Sequence, residues 1–210
     1  MKKIVVVNAS PRLNYNTNTL LNYAEKGVKE EGGIVQKFDL YKLEKFTGCI
    51  SCFSCKTNKN KGHCVVKDGL TEVLDAIREA DGLVIGSPNY LSDMTAGFRA
   101  LYERLIFQNF TYNVENFCCN ENHIPVLFIM TSNAIETTYV KLVEEYKNMF
   151  EKIIGPTKTF ISGNTLQLND YSHLDWEWTK FNIDEKIKRH KEIFPKECEE
   201  VYNLGKEMVK

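Results

Sequence analysis

The start of the chain places a buried strand directly before a polar loop and a helix. Residues 4–7 are an unbroken run of Ile and Val, residues 8–19 are rich in Asn, Ser and Thr, and an apolar helical spacing begins at Leu20. A short apolar run of this kind is typical of a strand that is buried on both faces. Where such a strand leads into a helix, unpaired backbone N–H groups and the positive end of the helix dipole attract an anion.

Four polar side chains of this loop suit a phosphate group. Ser10, Asn16 and Thr17 supply hydroxyl and amide donors, and Arg12 adds a positive charge. The same residues also suit an ordinary connection between a strand and a helix, because Asn and Thr commonly cap helix N-termini. The loop alone leaves both interpretations open.

Strand and helix patterns alternate along the rest of the chain. Short runs of Val and Ile are separated by segments with apolar residues at helical spacing, as at Leu70, Val73 and Ile77. This pattern is typical of a parallel sheet that is covered on both faces. We therefore predict one α/β domain over residues 1–210, a doubly wound five-stranded parallel sheet of order 2-1-3-4-5 with helices on both faces. The predicted strands are residues 3–8, 34–39, 82–87, 124–130 and 157–162, and a C-terminal extension begins at about residue 165.

In such a sheet a ligand binds beyond the carboxyl ends of the strands, at the point where the strand order reverses. The predicted first, third and fourth strands all end there, and each is followed by a polar loop of small residues. Pro88 makes the second loop rigid, and Tyr90 adds an aromatic ring that suits a flat heterocycle. Tyr90 alone would fit a half-buried packing role equally well.

The composition is that of an ordinary globular protein, with 43% hydrophobic and 26% charged residues. The net charge of −1 gives no indication of nucleic acid or a membrane surface as a partner. No apolar run approaches the ~20 residues of a membrane span, and the N-terminal run is too short for a signal peptide. We therefore expect a cytoplasmic protein whose seven cysteines are thiols or metal ligands rather than disulfides. The basic run at residues 186–191 is expected to be a solvated helix face.

A cysteine-rich loop is predicted at residues 47–66. Two residues separate Cys49 from Cys52 and Cys52 from Cys55, and Cys64 follows after eight more. Four thiolates at such spacing can bind a [4Fe–4S] cluster or a zinc ion. The alternative is an ordered loop with partly buried or redox-active thiols.

The loops together resemble those of the flavodoxin-like NAD(P)H-dependent FMN reductase family. Members typically carry Ser-Pro-Arg-x-x-x-Asn-Thr after the first strand, which matches residues 10–17 except that Tyr15 replaces the usual Gly. The second family loop, Gly-Ser-Pro-x-Tyr, matches residues 86–90. The resemblance implies noncovalent FMN that takes a hydride from NADH or NADPH, and it assigns no acid–base residue. The residues that it assigns to FMN are Ser10, Arg12, Asn16, Thr17, Pro88, Asn89, Tyr90, Leu91, Thr131, Ser132 and Asn133.

The cysteine loop is similar to that of the iron-sulfur flavoprotein branch of this family, whose last gap is usually shorter. A neighbouring flavin would give an iron-sulfur centre an electron partner, which favours a cluster over zinc. The resemblance therefore implies a [4Fe–4S] cluster on Cys49, Cys52, Cys55 and Cys64.

The resemblance also implies a partner for the electrons and a partner subunit. The acceptor is expected to be a flavin, a quinone or a similar small molecule, or a protein, and the assembly a homodimer or homotetramer. The aromatic segment at residues 170–178 is expected to pack on its own domain or on a neighbouring chain. The main rival is a non-enzymatic electron carrier, but short flavodoxins are usually strongly acidic and this chain is nearly neutral.

Overall fold

Five parallel strands form the central sheet of the protein. The computed structural model describes residues 1–172, 174–175 and 180–210 of the chain. The order of the strands is β2-β1-β3-β5-β6, and a short strand, β4, pairs with β3 in the antiparallel direction. The predicted α/β class and strand arrangement are confirmed, with the last two labels raised by one because of β4. The strands are β1 (Lys3–Asn8), β2 (Ile34–Asp39), β3 (Gly82–Tyr90), β4 (Asp93–Met94), β5 (Val126–Thr131) and β6 (Thr157–Ser162).

Helices cover both faces of the sheet because both faces of its strands are apolar. Successive side chains of a strand point to opposite faces, so Ile4 and Val6 pack with one set of helices and Val5 and Val7 with the other. The first set is α1 and α6, and the second is α2, α3 and α4. Within the described ranges, none of the helices is long and apolar enough to cross a membrane. The helices are α1 (Asn16–Glu30), α2 (Thr71–Arg78), α3 (Ala96–Asn109), α4 (Val140–Ile153), α5 (Ile183–Glu192) and α6 (Phe194–Glu207).

The largest departure from the predicted boundaries is at the end of β3. The strand continues to Tyr90 rather than to residue 87, because its last residues pair with β4. β4 itself has two residues, which is too short to leave an alternating pattern in the sequence. The result is a hairpin that projects from the carboxyl edge of the sheet.

The described part of the aromatic segment packs on its own chain. Tyr171 is buried, and its hydroxyl accepts hydrogen bonds from the backbone N–H groups of Gln167 (3.1 Å) and Leu168 (3.3 Å). Residues 173 and 176–179, which include both tryptophans, lie outside the described residues. The prediction for that part of the segment stays a prediction.

The crossing of α1 and α6 brings two glycines against backbone. A Cβ atom at Gly27 would lie 2.1 Å from the carbonyl oxygen of Tyr202, and one at Gly205 would lie 2.2 Å from that of Ala24. Gly205→Ala is therefore expected to lower the free energy of unfolding by about 2 kcal/mol, because the clash with backbone exceeds the ~1 kcal/mol that alanine gains within a helix. Chemical denaturation measures the change. Asn203→Ala on the exposed side of α6 is the control, and equal loss in both variants would contradict the close crossing.

Candidate functional site

The loops that follow β1, β3 and β5 meet at one edge of the sheet and border two adjoining cavities. The smaller cavity, of about 100 Å³, lies among all three loops and the loop after β6. The larger cleft, of about 780 Å³, opens between the β3–β4 hairpin and the loops after β5 and β6. The candidate residues that line the smaller cavity are Ser10, Arg12, Asn16, Thr17, Pro88, Asn89, Tyr90, Thr131, Ser132 and Asn133, and Leu91 lines the larger cleft.

A chain of hydrogen bonds shapes the loop after β1. Asn8 is fully buried at the end of β1, where its Nδ2 donates to Asp39 Oδ1 (2.9 Å) and its Oδ1 accepts from the backbone N–H of Ser10 (3.0 Å). The Oγ of Ser10 in turn accepts from the backbone N–H of Arg12 (3.1 Å). These bonds fold the loop back on itself and hold the Ser10 hydroxyl at the wall of the smaller cavity.

The start of α1 is electropositive. The residue before the helix, Tyr15, makes no side-chain cap, and the first turn carries no acidic residue, so among the described residues no side chain of this turn or cap accepts from the first N–H groups. The guanidinium of Arg12 lies 3.2 Å from the centre of the Tyr15 ring. Thr17 Oγ1 shares a hydrogen bond of 2.7 Å with Thr131 Oγ1 at the same wall. Since Tyr15 has an extended backbone (φ −126°), the tyrosine is accommodated where the family pattern has glycine.

The β3–β4 hairpin forms one wall of the larger cleft. Its tip residues, Leu91 (φ 52°) and Ser92 (φ 71°), both have left-handed backbone, which Asn and Gly normally supply in such a turn. Asn89 Oδ1 stabilises the turn by accepting from the backbone N–H of Ser92 (3.2 Å). A strained turn at the rim of a cleft is typical of a functional site. The side chain of Leu91 is fully exposed at the tip.

Side chains from α3 and α4 hold the hairpin in place. Tyr146 donates a hydrogen bond to Asp93 Oδ1 (2.6 Å), and Arg99 donates to the Tyr146 hydroxyl (3.0 Å). Burial and the hydrogen bond to Asp93 raise the pKa of Tyr146 well above its usual range. The phenol therefore stays a neutral donor to the hairpin.

Sequence reasoning missed the loop after β6, which borders both cavities. Thr165, Leu166 and Gln167 line the smaller cavity. Thr165 donates from its backbone N–H and its hydroxyl to the carbonyl oxygen of Ser132 (2.9 Å each), and Asn16 Nδ2 donates to the carbonyl oxygen of Leu166 (2.8 Å). A usable signal was present, because residues 162–165 read Ser-Gly-Asn-Thr directly after a strand, as polar as the three loops that were identified.

The four cysteines of residues 47–66 line a third cavity, of about 20 Å³. In the part of the chain that the structure describes, this cysteine cavity shares no lining residue with the smaller cavity or the larger cleft. Among the same described residues, no three Cys, His, Asp or Glu side chains are placed to hold a single metal ion. The predicted ligands thus meet around one cavity without forming a site for one ion.

The thiols around the cysteine cavity differ in environment. Burial raises the pKa of the Cys55 thiol; the charge of Lys56 opposes this rise, and the neighbouring charges of Cys64 and Cys49 add to it. Hydrogen bonds from the backbone and side chain of Ser54 lower the pKa of the exposed Cys52 thiol. Cys49 and Cys64 are therefore close enough to Cys55 for their charges to act on its thiol.

A buried arginine gives the cysteine cavity a positive wall. Arg104 is 1% exposed, and its guanidinium donates to Asp68 Oδ1 (2.6 Å) and to the carbonyl oxygen of Val66 (2.8 Å). It also forms a side-chain hydrogen bond with Cys64. Burial opposes ionisation of Asp68, but the hydrogen bond from Arg104, those from the backbone N–H groups of Leu70 and Thr47, and the charge of Arg104 together outweigh it, so the pKa of Asp68 is lowered.

A sequence model of the NADPH-dependent FMN reductase family matches residues 2–152. The chain belongs to this family. The match extends from β1 almost to the end of α4, so it contains the loops after β1, β3 and β5 and the cysteine loop.

Curated relatives of this family member are iron-sulfur flavoproteins. One from Methanocaldococcus jannaschii is 33% identical over 102 residues, which are 49% of this chain and 51% of the relative. One from Clostridioides difficile is 32% identical over 104 residues, which are 48% of this chain and 44% of the relative. The chain therefore spans about half the length of the curated relatives it matches.

Solved structures of other oxidoreductases share the fold. An azoreductase from Bacillus anthracis superimposes with a TM-score of 0.70 at 16% identity, over 99% of this chain and 100% of that chain. An NAD(P)H:quinone oxidoreductase from Methanothermobacter marburgensis superimposes with a TM-score of 0.70 at 12% identity, over 100% of this chain and 98% of that chain. An FMN-dependent NADH-azoreductase from Bacillus anthracis in complex with FMN superimposes with a TM-score of 0.66 at 15% identity, over 99% of this chain and 100% of that chain. At these identities the likeness establishes the flavodoxin-like fold.

The walls of the cavities contain polar atoms that lack partners. In the described part of the chain, Asn89 Nδ2, Asn133 Oδ1 and Gln167 Oε1 are buried and make no hydrogen bond. All three residues line both the smaller cavity and the larger cleft. A buried polar atom without a partner destabilises a protein by about 1–3 kcal/mol, so three around one site indicate a polar ligand. A flavin ring, which carries carbonyl oxygens and an N–H group along one edge, fits this donor and acceptor set.

Proposed function

We propose that the protein binds FMN without a covalent bond and acts as an oxidoreductase that takes electrons from NADH or NADPH. The observation that carries the proposal is the set of unpaired polar atoms on Asn89, Asn133 and Gln167 around a cleft at the switch point of the sheet. Membership of the FMN reductase family supports it. When bound, FMN supplies the hydride and electron chemistry, and the protein positions it.

In this proposal the smaller cavity takes the phosphate and the larger cleft takes the flavin ring. The Ser10 and Thr17 hydroxyls and the N–H groups at the start of α1 bind the phosphate oxygens, and Arg12 offsets their charge. The smaller cavity is too small for a three-ring flavin, whereas the larger cleft is several times its volume.

The ring is held between the hairpin and the loop after β5. Asn89 and Asn133, on opposite sides, offer their unpaired amide atoms to the polar edge of the ring. Burial raises the pKa of the Tyr90 phenol, and the nearby charge of Arg12 opposes that change. The phenol is therefore neutral at physiological pH, and its ring packs against the ligand without adding charge.

The experiment that tests the proposal combines a spectrum with turnover. Protein purified without oxygen is expected to show flavin absorbance and to oxidise NADH or NADPH when FMN or a quinone is in excess. Protein stripped of FMN and assayed with the quinone as sole acceptor is the control, and its activity should return when FMN is restored. Bound FMN with no oxidation of either nucleotide would overturn the enzyme proposal in favour of an electron carrier.

The cysteine cavity favours an electron carrier as the second candidate function. Four thiolates on one zinc ion would lie about 3.8 Å apart, as Zn–S bonds of ~2.3 Å require, and the described residues form no such site. A four-iron cluster binds one thiolate on each of its irons, so its ligands are further apart. We therefore propose that Cys49, Cys52, Cys55 and Cys64 hold a [4Fe–4S] cluster that exchanges electrons with FMN and with a small-molecule or protein partner.

We also propose that the protein assembles as a homodimer or homotetramer. Leu91 is fully exposed at the hairpin tip, and Ile135 is 57% exposed across the larger cleft. Apolar side chains at the rim of a cleft favour a covering surface. Light scattering at working concentration is expected to give the mass of two or four chains. A monomer with full FMN occupancy would contradict this assembly.

A further inference from the structure

Lys186 of α5 is a buried amine behind the wall of the larger cleft. It is 1% exposed, so the expectation of a solvated helix face at residues 186–191 is wrong at this position. Its Nζ donates to the carbonyl oxygen of Asn133 (2.8 Å) and to Asn164 Oδ1 (2.7 Å), and lies 4.8 Å from the centre of the Phe181 ring. These three contact residues all line the larger cleft. One side chain thus connects three parts of the same wall.

The wall that Lys186 holds is tightly built. Asn164 has left-handed backbone (φ 46°), and its N–H donates to the carbonyl oxygen of Ala134 (2.6 Å). A Cβ atom at Gly163 would lie 2.3 Å from the backbone nitrogen of Glu136, so the loops after β5 and β6 touch through backbone. A strained residue persists only when its surroundings fix it, and the bond from Lys186 is part of that constraint.

The charge of Lys186 is not neutralised by its contacts. Its hydrogen-bond acceptors are neutral oxygens, and no carboxylate of the described residues forms an ion pair with it. The nearby cation, Arg189, is itself paired with Glu136 (2.9 Å) and Glu197 (2.6 Å). Burial lowers the pKa of Lys186 to about 8, and Arg189 acts in the same direction, so the amine is still largely protonated at pH 7. Burying such a charge is unfavourable, which makes a functional role worth testing.

We propose that Lys186 is a positioning residue for the flavin. It fixes the loops after β5 and β6 as one wall of the larger cleft, and its positive charge favours reduced over oxidised flavin. Reduced flavin has more negative charge on its ring, so a buried cation close by stabilises it more than the oxidised form. The inference rests on the proposed function, because it assigns a role at the same site.

The test compares neutral variants at Lys186 with a matched exposed lysine. Lys186→Met keeps an unbranched side chain, one atom shorter, and removes its charge and donors, and Lys188→Met makes the same change at an exposed position of α5. The midpoint potential of bound FMN and the dissociation constants of FMN and riboflavin are measured for each. In Lys186→Met the ratio of reduced to oxidised affinity should fall about tenfold, which lowers the two-electron potential by about 30 mV. The affinities for FMN and for riboflavin should fall by the same factor, because the defect lies at the ring and not at the phosphate.

Asn164→Gly separates the two parts of the role. Glycine tolerates the left-handed backbone and removes one of the two acceptors of Lys186 while the charge remains. This variant should bind both FMN and riboflavin more weakly and leave the midpoint potential of bound FMN unchanged. Lys186→Gln serves as a second neutral variant, and thermal unfolding checks that each protein is folded.

The outcomes distinguish this inference from the proposed function. A native protein that binds neither FMN nor riboflavin would overturn the proposed function. Normal flavin binding with the same potential in Lys186→Met, Lys186→Gln and Lys188→Met would overturn the role of Lys186 alone. Failure of both neutral variants at Lys186 to fold would assign the residue to stability and overturn the inference as well.

Discussion

A double variant with Ser10→Ala and Thr17→Val is expected to bind FMN about a hundredfold more weakly and riboflavin as tightly as the native protein does. Both hydroxyls line the smaller cavity, where we place the phosphate. A hydrogen bond to a charged group contributes about 1.5–3 kcal/mol, so losing two removes about 3 kcal/mol or more, and ~1.4 kcal/mol corresponds to a factor of ten. Riboflavin has no phosphate and loses neither bond. Titration by flavin fluorescence measures both ligands.

The substitutions keep the side chains close to their native size, although they also remove the hydrogen bonds of Ser10 with Arg12 and of Thr17 with Thr131, whose loss affects FMN and riboflavin alike. Thr17 is buried, and valine has nearly its shape but lacks the hydroxyl. Thr19→Ala is the control, because this hydroxyl donates to the carbonyl oxygen of Tyr15 within the first turn of α1 (3.1 Å) and does not line the smaller cavity. The control should bind FMN as the native protein does. Equal loss of FMN and riboflavin in the double variant would show that the phosphate lies elsewhere.

The arrangement of the sheet was predictable because its strands are buried on both faces. Ile4 and Val7 pack on opposite sides of β1, and a run that must satisfy both sides is apolar throughout. The β3–β4 hairpin was not predictable in the same way. Its tip has left-handed backbone at Leu91 and Ser92, and neither residue type indicates such a turn. The strain there is imposed by tertiary contacts, such as that of Tyr146 with Asp93.

The candidate site was predictable only as far as local patterns reach. The loops after β1, β3 and β5 each follow an apolar strand, so their position at the carboxyl edge follows from the fold. The hydrogen bond from Asn16 to Leu166 joins residues 150 positions apart, and that from Lys186 to Asn133 joins residues 53 apart. Helical periodicity carries no information about such pairs. A lysine in a basic run is normally solvated, so only the packed structure shows that Lys186 is buried.

Cys55→Ser is expected to remove nearly all iron and sulfide from protein purified without oxygen, whereas the native protein should contain about four of each per chain. Cys55 is the buried member of the four cysteines that line the cysteine cavity. A serine hydroxyl is a much poorer ligand for an iron-sulfur cluster than a thiolate, and at a buried position no other group can replace it. Iron and acid-labile sulfide analysis, with the absorbance spectrum, measures the loss.

The FMN content of the same preparations shows whether the loss of iron and sulfide is confined to the cysteine cavity. In the described part of the chain, the cysteine cavity shares no lining residue with the cavities assigned to FMN, so Cys55→Ser should keep its flavin. Cys119→Ser is the matched control, because its thiol lies near the cysteine loop but outside the cysteine cavity, and it should keep both iron and flavin. Background iron in the native protein, with FMN bound and reducible by NADH or NADPH, would rule out the cluster. Electrons would then leave through the flavin itself, and the enzyme proposal would stand without the carrier.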